Sequence, residues 1–134
     1  MRILIVGAGP VGLMFCARLS KDGHECILIE KNHLRHTLSR ASSLQPASLE
    51  CLDEFGFLPR LIAQGQRIDE LMSWDLDHDL KNTCSYDLIR DETLYPFRLH
   101  VNQAILRDQL IQFLQECSSC TILDQAEVTS VISN

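Results

Sequence analysis

The chain has 134 residues, enough for one ordinary domain with a real apolar core. Hydrophobic residues make up 46% and charged residues 22%, which excludes a disordered, collagen-like or low-complexity chain. With 12 basic against 18 acidic residues the net charge is −6, and that excludes the basic footprint needed for nucleic acid or an anionic membrane.

Residues 3–6 form a short continuous apolar run, the pattern of a strand buried on both faces of a parallel sheet. Arg2 ahead of this run has the look of a secretory leader. Gly7, Gly9, Pro10 and Gly12 interrupt it, however, and no small-residue cleavage site follows. From Pro10 the period becomes helical, with Val11, Met14, Phe15 and Leu19 on one face and Gly23 placed to stop the helix. Residues 26–29 are a second buried strand. Strand, turn, helix and strand together have the size of a βαβ unit, about thirty residues.

Residues 31–45 carry no period and read as a long polar loop. Pro46 suits the first turn of a helix, with Leu49, Leu52 and Phe55 inward and Gly56 closing it. Residues 58–65 suggest another short helix. Between 68 and 99 the pattern is β-like and irregular, with Trp74, Tyr86, Tyr95 and Phe97 interspersed. Asn102 is placed to cap a helix over 102–116, with Leu106, Leu110, Phe113 and Leu114 inward. Residues 121–123 and 128–132 read as closing strands. No stretch after the first apolar run approaches the ~18 apolar residues of a membrane span. The six cysteines are scattered among core-like positions, which suits reduced thiols and a cytoplasmic setting.

Gly7, Gly9 and Gly12 make a G-x-G-x-x-G that follows a strand and opens a helix, the context that gives this motif meaning. Gly7 permits the tight turn, Gly9 lets the main chain approach a pyrophosphate, and Gly12 lets helix and strand pack closely. Pro10 and Val11 complete the turn. The helix start then offers N–H groups and partial positive charge to phosphates. Glu30 ends the second strand, with Lys31 beside it. A carboxylate there accepts the hydroxyls of an adenosine ribose and repels a 2′-phosphate. These residues predict an α/β fold, a Rossmann-like βαβ module for a dinucleotide, and both FAD and NAD satisfy it.

The residues that separate the two also carry a family resemblance. Residues 3–13, Glu30, 39–50, 52–58 with Gly56, and 100–106 resemble the flavoprotein aromatic hydroxylases related to para-hydroxybenzoate hydroxylase and phenol hydroxylase. The resemblance covers nearly the whole chain, in order and spacing. It implies FAD, with Arg40 reaching the ribose and pyrophosphate region and Gln103 lying against the ribityl chain. It further implies NAD(P)H as co-substrate, O2, a small aromatic substrate, and no catalytic side chain, because the chemistry belongs to the isoalloxazine. On this basis residues 1–70 are expected to form the FAD-binding module. Residues 71–100 would begin a β-rich substrate layer, and 101–134 would return a helix and terminal strands to the module. The family's later Asp-Gly and Gly-Asp segments do not occur in this chain. It therefore reads as an N-terminal portion of a hydroxylase, without hydroxylating activity by itself.

Other constellations are weaker. Cys117 and Cys120 form a C-x-x-C that follows a helix end, where no dipole lowers a thiol pKa. Asp75, Asp77 and Asp79 open like a calcium loop, but Leu80 and Tyr86 stand where glycine and glutamate are required. His33 and His36 have no third ligand nearby. No metal site is expected. Two rivals to the hydroxylase remain at this stage, an NAD-dependent dehydrogenase module and a non-catalytic nucleotide-binding remnant.

Overall fold

The computed structural model describes residues 1–34 and 43–132. In chain order the elements are β1 (Arg2–Val6), α1 (Pro10–Lys21), β2 (Glu25–Glu30), β3 (Ser43–Leu44), α2 (Pro46–Asp53) and α3 (Leu58–Gln64). They continue with β4 (Gln66–Ile68), β5 (Glu70–Trp74), β6 (Leu80–Ser85), a 3-10 turn (Tyr86–Ile89), β7 (Arg98–His100), α4 (Gln103–Glu116) and β8 (Cys120–Asp124). The described parts of Met1–Ser39 and Gln103–Asn134 form one compact unit, and those of Arg40–Asn102 a second.

The first unit is a parallel sheet in the order β1-β2-β8, with Ile3 opposite Cys26 and Leu28 opposite Ile122. Parallel neighbours require a crossover. Helix α1 provides it between β1 and β2, and packs on β2 and against α4. Leu13, Cys16 and Ala17 of α1, Leu106, Leu110, Ile111 and Leu114 of α4, and Cys26 and Leu28 of β2 are all buried. Each large side chain among them contributes roughly 1.5–3 kcal/mol by leaving water.

Three sequence expectations change here. The buried face of α1 is Leu13, Cys16, Ala17 and Ser20, whereas Val11 and Phe15 are 83% and 55% exposed. Both faces satisfy the helical period. Packing of α1 on β2 and against α4 selects the Leu13, Cys16, Ala17 and Ser20 face. In β1 only Ile5 is buried and Leu4 is 53% exposed, so the strand is covered on one face instead of two. Residues 128–132 form no strand. The positive φ of 54° at Gln125 turns the chain out of the β8 direction, and Ala126 N–H then donates to the Glu30 carbonyl at 2.8 Å.

The second unit holds two antiparallel sheets, one ordered β3-β7-β4 and one a β5-β6 hairpin. Strand β7 pairs with both β3 and β4, through Leu99 to Leu44 and Arg67. Residues 43–68 are thereby tied to 98–100, and this unit starts ahead of the 71–100 segment distinguished in the sequence. Leu49, Leu52, Leu58 and Leu61 of α2 and α3 are buried, as are Phe97 and Leu99. The acidic run is the hairpin turn. The Asp75 carboxylate accepts from the Asp77 and Asp79 N–H groups at 3.0 and 2.9 Å and pairs with Lys81 at 2.7 Å. No helix among the described residues is long and apolar enough to cross a membrane.

Candidate nucleotide site

Gly7 takes a φ of +101°, a conformation that favours glycine, and its N–H donates to the Ile29 carbonyl at 2.7 Å. The turn that leaves β1 is thus pinned to the end of β2. A Cβ on Gly12 would stand 2.0 Å from the Gly7 carbonyl oxygen, so the third glycine is demanded by the turn's own backbone. A Cβ on Gly9 would meet nothing within 4 Å. Gly9 is the N-cap of α1 and no side chain caps that end; Pro10 holds the first turn, which contains no acid. The first-turn N–H groups of a helix lack intrahelical partners and favour an anion there.

Glu30 is only 9% exposed. Its Oε2 accepts from Ala8 N–H at 2.8 Å, and its Oε1 from the Asn32 N–H at 2.9 Å and the Asn32 amide Nδ2 at 3.2 Å. Burial pushes this carboxyl up. The Asn32 and Ala8 N–H groups, the Asn32 amide and the charge of Arg107 outweigh it and hold the pKa below the ordinary carboxylate value. Glu30 is therefore an anion that also fixes the glycine turn.

Beside it lies a cavity of about 310 Å³, lined by Val6 and Gly7 from β1 and the turn, by Ile29, Glu30 and Lys31, and by Ala126, Glu127 and Val128. The last three were not singled out in the sequence. The hydrogen bond from Ala126 to Glu30 brings them here, and no local pattern announces it. Two carboxylates and one lysine leave the lining acidic on balance, which suits an unphosphorylated ribose. Of the other predicted residues, Val11 projects into solvent beside Gly9, and half-buried Gln103 opens α4 in the same unit and is not among the residues that line this cavity. Arg40 and His36 lie outside the described residues. His33 is exposed, with Nδ1 3.5 Å from Asp124.

The cysteines do not make a redox centre of the usual kind. Cys16 Sγ is 3.6 Å from Cys120 Sγ, and burial, followed by the charge of Cys120, pushes the Cys16 thiol up. Burial also raises Cys117 and Cys120, whereas a reactive pair needs a lowered pKa.

Among known proteins, the FAD binding domain model matches residues 1–134. The chain belongs to this FAD-binding domain family. FAD is thus the dinucleotide of the fold, and the nicotinamide dehydrogenase drops out as owner of the glycine turn. The domain is 24% identical over 120 residues to para-nitrophenol 4-monooxygenase of Pseudomonas sp. (strain WBC-3), covering 90% of this chain and 30% of that protein. It is 30% identical over 104 residues to pentachlorophenol 4-monooxygenase of Sphingobium chlorophenolicum, covering 75% of this chain and 18% of the relative. Its fold matches the crystal structure of p-nitrophenol 4-monooxygenase PnpA from Pseudomonas putida DLL-E4 with a TM-score of 0.89 at 21% identity, over 99% of this chain and 34% of that one. The FAD-binding domain therefore spans about a third or less of the length of these relatives.

Proposed function

We propose that this domain holds the adenosine and pyrophosphate end of FAD in a flavin-dependent monooxygenase that hydroxylates a small aromatic compound with NAD(P)H and O2. In this reading Gly7, Gly9, Pro10, Val11 and Gly12 border the pyrophosphate, Glu30 and Lys31 the adenosine ribose, and Arg40 and Gln103 the remainder of the cofactor. Bound FAD supplies the redox chemistry, accepting reducing equivalents from NAD(P)H and using O2 as oxygen donor. The chain's own residues bind, orient and neutralise. The relatives that act on nitrophenol and chlorophenol support an aromatic substrate.

The observation that carries the reading is the buried Glu30 carboxylate, bonded to the glycine turn and bordering the cavity. A carboxylate offers about four lone-pair sites, of which Ala8 and Asn32 occupy three. One remains for a ribose hydroxyl. A second hydroxyl must displace the Asn32 amide, the longest of the three bonds and the one made by a side chain, on an exposed residue. Glu30→Gln is therefore expected to weaken FAD binding by roughly 10- to 100-fold, the equivalent of about 1.5–3 kcal/mol for a hydrogen bond to a charged acceptor. The test is titration of the chain with FAD, followed by quenching of flavin fluorescence. Equal affinity of Glu30→Gln and wild type would overturn the assignment.

A further inference from the structure

Arg107 lies on α4 with only 3% of its surface exposed. An arginine so deeply buried costs several kcal/mol unless it is compensated. Its Nη2 donates to the Leu34 carbonyl at 2.7 Å, and the Leu34 N–H donates to Asp124 Oδ1 at 2.8 Å. The peptide groups on either side of Leu34 are thus held by α4 and by the end of β8. Leu34 is the last described residue of the segment that begins with Glu30, and Asn32 within that segment is bonded back to the Glu30 carboxylate. The Arg107 charge also acts on Glu30 itself.

We infer that Arg107 is a positioning residue of the nucleotide site: it fixes the segment after β2 that bonds back to Glu30, and its buried charge favours the Glu30 carboxylate. This rests on the FAD reading for its functional consequence, though not for its electrostatics. Among the described residues, the charged and titratable groups around Glu30 are Arg107 from α4, Asp124 opposite it in β8, Lys31 and His33 in its own segment, and Glu127 at the cavity. Arg107 is the buried cation of this group, as Lys31 and His33 are exposed.

The sign follows from the charge. Glu30 receives ribose hydroxyls as a carboxylate, so FAD affinity falls when pH drops through its pKa. Removing the Arg107 charge raises that pKa. Arg107→Gln, which keeps an N–H donor for Leu34 but no charge, should move the acid limb of FAD binding toward neutral. Arg107→Lys, which keeps the charge, should leave the limb in place. The Glu30 carboxyl titration, followed by carbon-13 NMR on the chain without ligand, should move in the same way. An unmoved limb and an unmoved Glu30 titration in Arg107→Gln would overturn the inference, because a purely structural arginine lowers affinity at every pH alike. A shift in Arg107→Lys as large as in Arg107→Gln would overturn it too. Failure of wild type to bind FAD at any pH would overturn the reading of the site, while the carboxyl titration would still decide the pairing of Arg107 with Glu30. If Arg107→Gln folds poorly, the double variant Glu30→Gln/Arg107→Gln decides. A regained melting temperature supports mutual compensation, and a further loss overturns it.

Discussion

Gly9 and Gly12 belong to one motif but answer to different demands. At Gly12 a methyl group collides with the Gly7 backbone at 2.0 Å, whereas at Gly9 it meets nothing. Gly12→Ala should therefore destabilise the chain without ligand by about 3 kcal/mol, seen as a lowered melting temperature. Gly9→Val should leave that temperature within a few degrees and abolish FAD binding, because its bulk lies where the phosphates approach. Two variants with the same profile would mean that the glycines share one role. The turn and Glu30 were legible in the sequence because their chemistry is local: glycine spacing sets a backbone path, and a strand ends on a carboxylate. Arg107 was not read, although a signal existed. Arg107, Leu110, Ile111 and Leu114 are all buried and follow the i, i+3, i+4, i+7 spacing, so the inner stripe of α4 includes a charge. A pattern scored by hydrophobicity passes over that position.

Helix α1 shows where an element's period underdetermines its orientation. Its apolar residues Val11 and Phe15 face out, and Leu13, Cys16, Ala17 and Ser20 face in. Strand β1 lies at the margin of its three-stranded sheet and exposes Leu4. Substituting these outward positions with charge removes apolar surface without disturbing packing. Phe15→Glu and Leu4→Lys should raise the soluble yield and change stability by no more than about 0.5 kcal/mol, with the lysine also discouraging edge pairing. A loss of the size seen for buried truncations, about 2–5 kcal/mol, would show that these faces are packed. The strands themselves were legible from apolar runs. Their coverage was not, because burial depends on which helices return to the sheet.

For the molecule as a whole, the order of elements is legible in the residues but their grouping is not. Nothing in residues 43–68 signals that they pair with β7, and nothing in 120–124 signals a partner as distant as β2. Such pairings are set by tertiary contacts. The cysteines provide a global measure of the arrangement. Cys51 and Cys84 are exposed, Cys117 and Cys120 partly covered, and Cys16 and Cys26 buried. Alkylation of the native chain by iodoacetamide, mapped by mass spectrometry, should label Cys51 and Cys84 first. Cys16 and Cys26 should react only when denaturant opens the fold. Early labelling of Cys16 would contradict the packing of α1 against its sheet.

Strand β8 joins β2 with Cys120 opposite Cys26, so a ribosome delivers β1, α1 and β2 well before the strand that pairs with the far edge of β2. Residues 43–102 emerge in the interval and find their own antiparallel partners, which need no later sequence. Throughout that interval the far edge of β2 offers unpaired N–H and C=O groups to any neighbouring nascent chain. The pairing of β8 with β2 waits for Asp124 to clear the exit tunnel.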